Sequence, residues 1–130
     1  MEAESQVVHL VWRTFEREFA PVSHKFDFVV IDGVKAARES KDYRVTRPGV
    51  YVWADEERVV KVGRHLVNAR KRALEHVSDD TGGKMARLEI VSGVKLILLT
   101  VHPDDWHWAG TVEMYMERML DPDIRSGRTG

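Results

Sequence analysis

Near the start of the chain, apolar residues recur three and four positions apart: Val8, Val11 or Trp12, Phe15 and Phe19. That stripe predicts an amphipathic helix over residues 3–20, stopping before Pro21. The period then changes. Phe26-Asp27-Phe28-Val29-Val30-Ile31 is rich in aromatic and β-branched side chains and is broken by Asp32-Gly33, so it predicts a strand and a turn. Residues 34–47 are polar and weakly patterned, a short helix followed by a loop. Pro48-Gly49 precedes Val50-Tyr51-Val52-Trp53, and after the acidic turn of Ala54 to Glu57 the run Arg58-Val59-Val60-Lys61-Val62-Gly63 alternates again. The two runs predict an antiparallel hairpin.

Downstream, Leu66 or Ala69, Ala73, Leu74 and Val77 return to helical spacing, with Asn68 as a candidate N-cap and an end near Ser78. Gly82-Gly83 interrupts, and 84–90 predicts a brief helix. The apolar run of residues 94–101 has the length of a buried strand, closed by Pro103. Val112, Tyr115, Met116, Met119 and Leu120 then define a last helix over 111–120, ahead of Pro122, and the tail from Ser126 to Gly130 reads as frayed. The fold class expected is α+β: a small three-stranded, mainly antiparallel sheet flanked by helices 66–78 and 111–120, elaborated by the N-terminal helix and strand.

Length and composition bound this picture. A chain of 130 residues and 15.0 kDa suffices for one core and is short for two, so a single domain is expected. No window approaches the roughly 20 uninterrupted apolar residues of a membrane span, and the N-terminus lacks signal-peptide order, which predicts a soluble, cytoplasmic protein without a membrane partner. The absence of cysteine excludes disulfides, thiolate catalysis and cysteine-ligated zinc. A net charge of −1 argues against coating nucleic acid over the whole surface. Locally the balance differs: Arg58, Lys61, Arg64, Arg70, Lys71 and Arg72 follow one another without an acidic residue among them.

That basic stripe carries a recognisable order of residues. Gly49-Val50-Tyr51 is followed by Lys61-Val62-Gly63, ten residues from tyrosine to lysine, and then by Arg72 and His76, four apart on a helix. Glu113 lies near the start of the final helix, nine residues before Pro122. Together these resemble the GIY-YIG nuclease family over residues 48–124, leaving 1–47 as an extension and 125–130 as a tail. Lys61 stands where the second triplet usually has tyrosine, similar to some restriction endonucleases of the family. The loop from Gly63 to Arg72 is one residue longer than the commonest spacing, and Ile124-Arg125-Ser126 stands where an asparagine is often found.

The resemblance implies a metal-dependent endonuclease acting on DNA, with one Mg2+ or Mn2+ ion. Hydrolysing a phosphodiester requires a deprotonated water, a stabilised leaving oxygen and neutralised phosphoryl oxygens. By resemblance, Tyr51 is the general base, Lys61 its modulator, Arg72 the phosphate clamp, His76 a support and Glu113 the metal ligand. A tyrosine of ordinary pKa, about 10, needs neighbouring cations to favour phenolate. Arg58, Arg64, Arg70 and Lys71 are candidate DNA-backbone contacts. A protein this small has little room for elaborate sequence reading, so a homodimer or a partner subunit supplying specificity is an expectation from size.

Simpler readings stand beside these. Tyr51 and Trp53 also suit a half-buried strand, Arg72 a solvated helix face paired to Glu75, and Glu113 the positive end of a helix. His102-Pro103-Asp104-Asp105-Trp106-His107 reads as a polar loop, with Trp106 and Trp108 as packing residues, and Asp80-Thr81-Gly82-Gly83-Lys84 as a turn rather than a phosphate loop. Two other functions compete: a catalytically silent GIY-YIG-like module binding nucleic acid or protein, and a protein-interaction domain whose first helix and Met114, Met116, Met119 helix form a dimer face.

Overall fold

The computed structural model describes residues 5–78 and 85–125, the side chains of His76 and Ser78 excepted. The turn expected at Asp80 to Lys84 and the tail from Ser126 lie outside the described residues. Four α-helices, α1 (Gln6–Phe19), α2 (Val34–Glu39), α3 (Ala69–Ser78) and α4 (Trp108–Leu120), accompany four strands, β1 (Phe26–Asp32), β2 (Gly49–Ala54), β3 (Val59–His65) and β4 (Lys95–Val101). The α+β expectation holds at that level, and no described helix is long and apolar enough to cross a membrane.

The sheet has four strands, not three. Its order is β1-β4-β2-β3 and every pairing is antiparallel. β1 pairs with β4 along its whole length, from Phe26 opposite Val101 to Asp32 opposite Lys95, so the N-terminal extension belongs to the same sheet. The physical reason lies in β4. Leu96 to Val101 are all buried, which needs a neighbour at each edge and a helical layer on each face.

Those layers are visible in the packing. On one face Tyr51, Trp53, Leu96 and Leu98 pack with Ala69, Ala73 and Val77 of α3 and with Ala37 of α2. On the other, Val50, Val52, Ile97, Leu99 and Val62 pack with Val7, Val11, Phe15 and Phe19 of α1 and with Val112, Met116 and Leu120 of α4. The apolar side of α1 is thus consumed by its own sheet, with Phe15 and Phe26 rings 4.9 Å apart edge to face. That side of α1 is therefore covered within the chain itself. Met116 is likewise in the core, while Met114 and Met119 remain exposed.

Boundaries shifted where capping chemistry outweighs apolar spacing. α3 begins at Ala69 because the Asn68 carboxamide oxygen accepts from the Lys71 backbone N–H at 3.0 Å, the N-cap expected from sequence, and Leu66 stays in an exposed loop. α4 begins at Trp108, three residues before expectation, after a short 3-10 turn (Pro103–Asp105) that the His102 imidazole caps by accepting from Asp104 N–H. Glu113 is therefore in the second turn, where the helix dipole has faded.

Candidate active site at the open edge of the sheet

The two glycines of the motif explain how the tyrosine is held. At Gly49 the backbones of β2 and β4 approach so closely that a Cβ would lie 2.2 Å from the Leu99 carbonyl oxygen, so only glycine fits. At Gly63, directly opposite Tyr51 on β3, a Cβ would lie 2.3 Å from both Cζ and Oη of the Tyr51 ring. The phenol therefore lies across the bare Cα of the edge strand, its ring buried and its hydroxyl directed towards the outer side of β3.

Charged side chains from two helices act electrostatically on that hydroxyl. Burial pushes the Tyr51 phenol well above the ordinary tyrosine range; Arg72 of α3 pulls it down, and the carboxylates of Glu113 and Glu75 push it up. Of the five expected catalytic residues, Arg72 and Glu113 thus lie within electrostatic reach of the Tyr51 phenol. His76 lies one turn beyond Arg72 on α3, and its side chain is outside the described residues.

Lys61 shares the face of Tyr51 and also reaches the chain beyond α4. The register sets Lys61 opposite Trp53 and Tyr51 opposite Gly63, so the two are diagonal neighbours on one side of the hairpin. The Lys61 ammonium donates to the Arg125 carbonyl at 3.2 Å, where residues 123–125 run beside β3. Among the charges acting on the phenol, the Arg72 guanidinium draws it down.

Glu113 is a buried carboxylate with a cation on it. Its Oε1 accepts from Nη1 of Arg64 at 3.2 Å, the carboxylate side chain 1% exposed and the guanidinium side chain 37%. Arg64, expected as a DNA-backbone contact, is drawn to Glu113, since burying a carboxylate beside a cation offsets part of its desolvation cost. Glu117, one turn on, is also buried, and sequence reading passed over it because a Glu at i+4 usually marks a solvated face. Among the described residues no cluster of three or more His, Asp or Glu could hold a metal. Glu113 nevertheless suits a hard divalent ion as a sole protein ligand, since one of its oxygens already holds a cation and the ion's other ligands would be water and phosphate oxygens.

The basic stripe does not form one surface. Arg58 sits at the far end of β3 and pairs with Asp123 at 3.2 Å, roughly 20 Å along the strand from Arg64 at about 3.3 Å per residue. Arg70 donates to the Ser40 carbonyl at 2.5 Å and so closes the end of α2. Lys71 and Arg72 both pair with Glu75, at 3.3 Å each, the helix-face arrangement anticipated for Arg72. Two contacts that sequence could not supply fix α3 in place. The Trp53 indole N–H donates to the Ala73 carbonyl at 3.0 Å, and His65 Nδ1 accepts from Val67 and Asn68 N–H at the loop before the helix. Of the aromatics downstream, Trp108 packs against the α1/α4 core and Trp106 is half exposed. Compared with known proteins, the chain matches no family model, no curated protein and no solved structure.

Proposed function

We propose that this protein is a metal-dependent endonuclease of GIY-YIG type that hydrolyses DNA phosphodiester bonds at the outer edge of β3. The observation that carries the reading is the meeting of the Tyr51 hydroxyl, laid over Gly63, with Arg72 and Glu113 from two separate helices. Nothing in core packing calls for a phenol, a guanidinium and a buried carboxylate there; a phosphoryl group with an attacking water does.

The residues divide the work by charge. Tyr51, as phenolate, takes a proton from water as the new P–O bond forms and the old one breaks, becoming phenol. Arg72, half exposed and forked, takes phosphoryl oxygens, a geometry that suits guanidinium better than ammonium. Glu113 would hold a Mg2+ or Mn2+ ion, whose chemistry is to stabilise the leaving oxygen. Lys61 orders the chain beyond α4 beside the site, and His76 is assigned a supporting role from its place on α3. Lys71, 65% exposed at the start of α3, is the best placed of the expected backbone contacts. DNA is the substrate, and a second subunit would supply sequence choice.

Nicking of supercoiled plasmid with Mg2+ or Mn2+ tests the proposal. Wild type should cut only with metal, and Glu113→Gln should lose cutting. Equal rates for the two proteins, or cutting that ignores chelator, would refute it. Retention of DNA by both without any cutting would favour the silent binding module.

A further inference from the structure

Resting on the nuclease reading above, we propose that Arg64 is a positioning residue that holds the Glu113 carboxylate before metal arrives and then surrenders it, guanidinium and divalent ion competing for the same oxygens. The argument starts from an asymmetry. The two share one ion pair, but the Glu113 side chain is 1% exposed while that of Arg64 is 37% exposed. The carboxylate is fixed by its place in α4; the guanidinium, on a long stem at the end of the edge strand, can leave.

The surroundings favour such an exchange. Arg64 reaches Glu113 across Gly110 in the first turn of α4, where an added Cβ would only just touch its Nε, at 3.9 Å. A small residue there leaves the stem unconfined. Burying a carboxylate costs desolvation energy, and the Arg64 ion pair offsets part of that cost in the metal-free protein. A divalent ion brings twice the charge to the same hard oxygens, so it can take the position while the freed fork remains beside the phosphodiester. Arg64 thus acts through Glu113 and sets how much metal the site needs.

The test is Mn2+ binding to the DNA-free protein, by calorimetry and by loss of the free-ion electron paramagnetic resonance signal. Removing the competitor should tighten binding about 10-fold in Arg64→Ala, a difference of about 1.4 kcal/mol. Arg64→Lys, which keeps the charge without the fork, should fall between. Glu113→Gln combined with Arg64→Ala should abolish the gain. The Mn2+ concentration giving half-maximal nicking should fall by the same factor, and the KM for DNA should rise. Arg64→Gln serves as a second neutral variant if circular dichroism shows Arg64→Ala to be unfolded. Unchanged or weaker Mn2+ binding in the neutral variants overturns the proposal, as does a gain that survives loss of the Glu113 charge. If wild type nicks with metal and the neutral variants bind Mn2+ no better, only the exchange fails. If they bind more tightly and no protein cuts, the nuclease reading fails and the exchange stands.

Discussion

Replacing Gly63 by alanine would drive a methyl group into the Tyr51 ring. The added carbon would stand 2.3 Å from Cζ and Oη and 2.7 Å from Cε2, where contacts under 3.0 Å are essentially never seen. The ring must retreat by about 1 Å, and because Tyr51 is fully buried the retreat overpacks the α3 side of the core, at a cost of about 1–3 kcal/mol. For a domain of this size that lowers Tm by roughly 4 °C per kcal/mol. A hydroxyl displaced that far should also reduce cleavage by about 100-fold. The assay is a double-mutant cycle by urea unfolding, with Gly63→Ala made in wild type and in Tyr51→Ala. With the ring removed the clash vanishes, and alanine in a strand should then be neutral or slightly stabilising. The coupling energy should therefore be about 1–3 kcal/mol. A Gly63→Ala cost that is unchanged in the Tyr51→Ala background would refute the account of why glycine stands at this position.

Tyr51→Phe keeps the ring and removes the buried oxygen, so Tm should fall by only a few degrees, for about 1 kcal/mol, while plasmid nicking falls by about 2 to 4 orders of magnitude. Because burial raises the phenol above its ordinary range, phenolate is scarce at neutral pH and grows tenfold per pH unit. Cleavage should accordingly climb with a slope near one from pH 7 to about 9.5, and a plateau near pH 7 would assign the base to another group. Trp53→Phe takes away the indole donor to the Ala73 carbonyl and should cost about 1 kcal/mol in urea unfolding, with some loss of activity as α3 shifts. Among the described residues the Thr100 hydroxyl, on the central strand β4, has no hydrogen-bond partner, so Thr100→Val should stabilise the fold by about 1 kcal/mol and leave nicking untouched. For DNA binding, Lys71→Ala should reduce the salt slope by about one, whereas Arg58→Ala, paired to Asp123 away from the site, should leave it unchanged.

What the sequence made legible was periodic or local. The stripe of α1, the hairpin of β2 and β3 and the apolar run of β4 were all readable, since each advertises one burial pattern over several residues. Asn68 was readable as a cap because its side chain acts on its own neighbours. Membership of β1 in the sheet was not, since the alternation in Phe26 to Ile31 says that a strand exists and not which partner completes it. At the site, order and spacing named Tyr51, Arg72 and Glu113 before any geometry was known. Pairings across long stretches of chain stayed hidden: Arg64 with Glu113, Lys61 with the Arg125 carbonyl and Arg70 with the end of α2. A basic run looks uniform in one dimension, yet each of these cations is claimed by a different part of the fold.

The segment after α4 hydrogen-bonds along β3 at Val59 and Val60, so at that end the outer rim of the sheet is closed by the chain's own backbone. Carbonyls used in this way cannot zip onto another molecule's strand, which guards that stretch against stacking into ribbons. One short return of the chain thereby discourages unwanted assembly.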